Sequence, residues 1–163
     1  MHNLKNNTFK ILVIITAYVF AFEMIASPSF YVNDTKIVGT SSEDVDIYLG
    51  IPYAEPPIDS LRWEVTQPKV FETERFVADK FAPACMQGPR IVNWYKGVAA
   101  GFGGDPNYIK TPEISEDCLY LNMWVPNNID NKEKIPVLIY IHGGSNRAGW
   151  SFEPNYIGKN LSK

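Results

Sequence analysis

The sequence predicts an α/β fold in which an N-terminal antiparallel meander leads into the first strands of a central sheet. Two observations carry this reading. Three short β-leaning runs, Phe30–Val32, Lys36–Thr40 and Val45–Leu49, are punctuated by the turn residues Asn33-Asp34 and Ser41-Ser42-Glu43-Asp44. Far downstream, Ile135 to Ile141 is apolar throughout except for Pro136 in its first turn. A run of that kind reads as a strand buried on both faces, the habit of a central strand in a covered sheet.

The chain opens with an expected leader, residues 1–27, rather than with fold. His2, Lys5 and Lys10 make a polar, basic start, Ile11 to Phe22 is apolar, and Ala26 and Ser27 supply small residues after Glu23. That is the pattern of a secretory signal peptide. The apolar run is shorter than the about 20 residues that a spanning helix needs. An uncleaved anchor is the alternative. The remaining residues, 28–163, form one domain-sized unit. Two glycosylation sequons fall within it, at Asn33-Asp34-Thr35 and Asn160-Leu161-Ser162.

Ile51 to Pro57 holds Pro52, Pro56 and Pro57 and reads as a stiff loop. Leu61-Arg62-Trp63 follows. An arginine between two large apolar residues is expected to be partly buried, and then it requires a carboxylate. Gln87 to Glu113 carries scattered glycines among Trp94, Tyr95, Phe102 and Tyr108 and reads as a long, irregular surface loop. Its Gly101-Phe102-Gly103-Gly104 lacks the end of a phosphate loop. Leu119 to Val125 alternates as a strand, which Pro126 ends.

After the apolar run come His142, Gly143, Gly144 and Ser145. Adjacent glycines at the end of a buried strand bring backbone N–H groups to an open sheet edge, where they can hold a developing negative charge on oxygen. The plainer alternative is a tight turn.

Composition narrows the function. With 45% hydrophobic and 20% charged residues the chain is globular in type, and its net charge of −3 with no basic run argues against a nucleic-acid partner. Cys85 and Cys118 are the two cysteines, so one bridge is the single intramolecular option. In a secreted chain that bridge would stabilise the fold by about 3–4 kcal/mol. Two buried thiols are the alternative. With no C-x-x-C and no histidine near either cysteine, no metal or cofactor site is expected.

Three stretches, in order, resemble the type-B carboxylesterase and cholinesterase family of α/β-hydrolases. Gly50-Ile51-Pro52-Tyr53-Ala54-Glu55-Pro56-Pro57 with Leu61-Arg62-Trp63 is similar to its GIPYAxPP…LRF segment. Ser115 to Pro126, SEDCLYLNMWVP, is similar to its EDCLYLNxW signature, and His142-Gly143-Gly144-Ser145 to its oxyanion-hole loop. The resemblance implies an incomplete α/β-hydrolase fold. It implies a Cys85–Cys118 disulfide, because Cys85-Met86-Gln87 matches the family's CxQ, and an ion pair between Arg62 and Glu116. It assigns the oxyanion hole to Gly144 and Ser145 as donors, with Gly143 shaping the turn. Asp59, Ser145 and Asn146 depart from the family's usual glycine, glycine or alanine, and aromatic. The tryptophan that binds quaternary ammonium groups in cholinesterases is not transferred to Trp94.

Ester hydrolysis needs a nucleophilic serine, a histidine base and an orienting acid. Gly143-Gly144-Ser145-Asn146-Arg147 has Arg where the nucleophile elbow needs glycine, so Ser145 is not expected to be the nucleophile. The two histidines are His2, in the leader, and His142, in the loop. No catalytic triad is therefore expected in these residues. The expected function is the N-terminal part of a secreted serine carboxylic-ester hydrolase, inactive alone, with a small carboxylic ester as substrate of the whole enzyme. A catalytically inactive cholinesterase-like adhesion or binding protein is the alternative, and a short binding protein ending at Lys163 is a third reading. Oligomeric state is not legible.

Overall fold

The computed structural model describes residues 27–129 and 134–162, so the expected leader lies outside the described residues except for Ser27. The elements are β1 (Ser29–Val32), β2 (Thr35–Val38), β3 (Thr40–Ser42), β4 (Val45–Pro52), β5 (Arg75–Val77), β6 (Ala84–Cys85), α1 (Arg90–Gly101), β7 (Ile114–Ser115) and β8 (Tyr120–Pro126). Among the described residues no helix is long and apolar enough to cross a membrane.

The expected meander is present but divided between two sheets. β1 and β2 pair antiparallel about a turn where Asn33 holds φ 50°, and β5 adds parallel to β2. β3 and β4 pair antiparallel, and β8 adds antiparallel to β4. Gly39 is the step between the sheets. A Cβ there would stand 2.4 Å from the Ile47 carbonyl oxygen and 2.6 Å from the Tyr48 ring, so the chain passes β4 at a distance that only glycine allows.

β4 carries a bulge. Tyr48 faces Met123, but Ile51 faces Leu121, so β4 holds one extra residue. Gly50 sits there at φ 69° and donates its N–H to Asn122 Oδ1 at 2.9 Å, while the Leu49 N–H donates to the Ala78 carbonyl at 2.9 Å. The bulge thus ties the two sheets together. Between them lies a core of Ile37, Tyr48, Ile51 and Ala78, with Phe30 edge-on to Tyr48 at 5.0 Å. Burying a side chain such as Ile37 contributes about 1.5–3 kcal/mol.

The region expected to be an irregular loop, residues 87–113, contains the twelve-residue helix α1. Ile91, Val92, Tyr95, Val98 and Ala99 recur at helical spacing, and Val92 and Tyr95 are buried. The interspersed glycines masked that pattern. Two of them end the helix: Gly103, at φ 76°, donates to the Ala100 carbonyl and Gly104 to the Ala99 carbonyl, the Schellman arrangement. Cys85 and Cys118 are joined by a disulfide across a sequence separation of 33, beside the short parallel pair β6–β7.

The run Ile135–Ile141 does not form the expected buried strand. It pairs with no strand among the described residues, and Val137, Leu138, Ile139, Tyr140 and Ile141 are exposed, Ile139 to 80%. A strand is buried on both faces only where neighbours satisfy its backbone and cover its side chains. The described strands form their ladders elsewhere. Past Gly149 the chain returns to the body. Trp150 joins Ala84 and Val92 in a second core, Phe152 stacks on Phe81 at 4.5 Å, and the Ser162 hydroxyl donates to the Trp124 carbonyl at 3.2 Å.

Candidate functional site

The His-Gly-Gly-Ser stretch turns sharply. The Arg147 N–H donates to the Gly144 carbonyl at 3.1 Å, and the two residues between, Ser145 and Asn146, have φ 57° and 55°. Two successive left-handed residues closed by such a bond are the mark of a type I′ turn. Asn tolerates this conformation, whereas Ser pays about 1–2 kcal/mol for it. Gly144, at φ 128°, has no alternative, since a Cβ there would fall 1.6 Å from the Ala148 carbonyl oxygen. Among the described residues the N–H groups of Gly144 and Ser145 have no acceptor. Two adjacent backbone donors on a constrained turn are suited to an oxyanion.

His142 Nδ1 lies 2.8 Å from the carbonyl oxygen of its neighbour Gly143, where it acts as donor. That contact fixes the ring locally, and among the described residues no hydrogen bond joins the ring to Ser145. The structure brings Gly143, Gly144 and Ser145 together in one turn.

The stem of the turn is gripped by side chains that sequence reading missed. Gln87 bonds both polar groups of Gly149: its Nε2 donates to the Gly149 carbonyl at 2.9 Å, and the Gly149 N–H donates to Oε1 at 2.7 Å. Asn122 Nδ2 donates to Ser151 Oγ at 2.9 Å, so one asparagine serves both the β4 bulge and the stem. Glu153 is 4% exposed. It accepts the Tyr95 hydroxyl at 2.7 Å and the Trp150 N–H at 3.1 Å. Burial first, then this carboxylate, pushes the Tyr95 hydroxyl well above the ordinary phenol range. An acid set among Trp150, Ser151 and Phe152 was the available signal.

Arg62 and Glu116 form an ion pair, but their side chains are 58% and 40% exposed, and Trp63 beside them is 97% exposed. The expected partial burial is absent because no described segment covers this face. A pair so open to water contributes about 0–1 kcal/mol. Asn33, on the β1–β2 turn, and Asn160, in a 3-10 turn over Gly158–Asn160, are both exposed. Among the described residues no group of three or more His, Cys, Asp or Glu is placed to hold a metal ion. A mainly apolar cleft of about 240 Å³ lies between Gln87, Val92, Ile114 and Trp150, behind the stem.

Comparison with known proteins bears on this geometry. A profile described as "Carboxylesterase family" matches residues 26–163. The chain is 35% identical to the cholinesterase of Mus musculus over 119 residues, 73% of this chain and 18% of that protein. It is 34% identical to the phenmedipham hydrolase of Pseudarthrobacter oxydans over 133 residues, 82% of this chain and 25% of that protein. A solved PNB esterase superposes with a TM-score of 0.69 at 30% identity, over 83% of this chain and 25% of the esterase. The chain thus spans about a fifth to a quarter of the length of these relatives. A match over nearly all the described residues, in sequence and in backbone, means that the chain belongs to the carboxylesterase family and carries part of an α/β-hydrolase fold.

Proposed function

We propose that this chain supplies the oxyanion-stabilising part of a secreted carboxylic-ester hydrolase and does not hydrolyse esters alone. The observation that carries the reading is the pair of N–H groups at Gly144 and Ser145 that have no acceptor among the described residues, on a turn that only glycine permits at Gly144. Attack on an ester carbonyl places negative charge on its oxygen, and two fixed donors stabilise that charge without reorganising. Generating it requires a nucleophile and a base. His142 is the one histidine beyond the leader, and it bonds its own neighbour. The basic and apolar leader, the Cys85–Cys118 bridge and the exposed sequon asparagines Asn33 and Asn160 support secretion. Arg62–Glu116 is a surface tether between two family segments in this reading. The substrate class is a small carboxylic ester.

Two measurements test it. The full chain, purified from the medium of secreting cells, is expected to hydrolyse p-nitrophenyl acetate at the buffer rate. Turnover that Ser145→Ala abolishes would overturn this. Residues 28–163 exchanged for the matching quarter of a PNB esterase are expected to give an active chimera, in which Gly144→Ala lowers kcat by about 10²–10³-fold. An unchanged kcat would remove the oxyanion role.

A further inference from the structure

We infer that Gln87 and Glu153 are positioning residues for the oxyanion turn: together they clamp Gly149 and Trp150 and so set where the Gly144 and Ser145 N–H groups point. The inference rests on the oxyanion reading of that turn and adds what holds it in register.

The two arms of the turn touch. A Cβ built on Gly144 would lie 1.6 Å from the Ala148 carbonyl oxygen, and one built on Gly149 would lie 2.6 Å from the Gly143 carbonyl oxygen and 2.8 Å from His142 Nδ1. No slack separates the stem from the donors, so a displacement of Gly149 is transmitted to Gly144. Gln87 holds Gly149 as a strand partner would, satisfying N–H and C=O with one side-chain amide. Its own position is fixed two residues after bridged Cys85, to whose carbonyl Nε2 also donates at 3.1 Å.

Glu153 holds the next residue. Its Oε1 accepts the Trp150 N–H and lies 3.0 Å from the Cβ position of Gly149, while Oε2 is anchored by the Tyr95 hydroxyl of α1. Among the described residues no cation reaches this buried carboxylate. A buried carboxylate without a counter-ion is costly. Here it ties a rigid helix to the backbone beside the donors, the kind of outer support that holds a site to its working geometry.

The test uses the full chain first. Amide hydrogen exchange in residues 142–149 is expected to rise by at least about tenfold in Gln87→Ala and in Glu153→Ala, while β4 and β8 exchange as before. Glu153→Gln keeps an acceptor for the Trp150 N–H and is expected to restore most of the protection. Exchange unchanged in both alanine variants overturns the inference. The chimera with a PNB esterase supplies the second readout, as kcat per titrated active site, which is insensitive to the folded fraction. Either alanine variant is expected to lower it by about 10–100-fold, with KM within about twofold. A lower Tm with unchanged kcat per site would reduce both residues to scaffolding and overturn the inference, while leaving the oxyanion role intact. An inactive parent chimera would instead overturn the oxyanion reading, and the exchange measurement would still decide whether the clamp exists.

Discussion

β4 and the run Ile135–Ile141 are built from the same kinds of residue and end in opposite environments. Val45, Tyr48 and Ile51 in β4 are 0, 5 and 6% exposed, whereas Val137, Tyr140 and Ile141 are 83, 62 and 85% exposed. β4 has β3 on one flank and β8 on the other, and its bulge sends the Leu49 N–H to a third segment. The later run has no such neighbours among the described residues. Apolar sequence makes a strand suited to burial, but partners distant in sequence decide whether it is buried.

The sharpest way to break the comparison is to shorten one isoleucine in each region. Ile51→Ala is expected to cost about 2–5 kcal/mol in urea unfolding. Ile139→Ala is expected to stay within about 0.5 kcal/mol. Equal costs would mean that the later run is packed after all. A smaller effect comes from glycine. Gly50→Ala forces a Cβ to 2.6 Å from the Lys80 carbonyl oxygen at φ 69°. It should cost at least about 1–2 kcal/mol. Gly143, just past the exposed run, has open space around its Cβ position. Gly143→Ala is expected to change stability by less than about 0.5 kcal/mol. If Gly50→Ala proved neutral, the bulge would not be what couples β4 to its surroundings.

The smallest effect is a pH dependence on the folded side. Glu55, three residues past β4, accepts Lys69 Nζ at 2.8 Å and the Val70 N–H at 2.7 Å. The Lys69 hydrogen bond, then the Val70 amide, hold its carboxyl below the ordinary 4.5. A depressed carboxylate stabilises the fold above its unfolded pKa and loses that contribution as pH falls through the folded value. Stability should therefore decline below pH 4.5, and Lys69→Met should flatten the decline. An unaltered slope in the variant would assign the decline to other acids.

Much of this was legible beforehand because its signals are local. Asn33-Asp34 and Glu43-Asp44 marked the two hairpin turns, and alternation marked β8. The family segments carried Cys85, Cys118 and the His142–Ser145 loop. Features that depend on distant partners were not legible. Helix α1 was obscured because Gly97 and Gly101, on its open side, lower helix propensity by about 1 kcal/mol each and read as loop signals. The split of the meander follows from how closely Gly39 passes Tyr48, which no pattern of hydrophobicity records. Gln87 entered the reading only through the CxQ match and Glu153 read as an ordinary acid, because the Gly149 backbone that Gln87 holds and the Tyr95 hydroxyl that Glu153 accepts lie 62 and 58 residues away in the chain.

The bridge between Cys85 and Cys118 also fixes an order of assembly. Synthesis runs from the N terminus, so Cys118 leaves the ribosome before Gly149 does. In an oxidising compartment the bridge, α1, Gln87 and Tyr95 can be in place as a finished platform when residues 149–156 emerge. The later segment then docks onto a template instead of finding it by mutual search, and Gln87 receives the Gly149 backbone as it arrives.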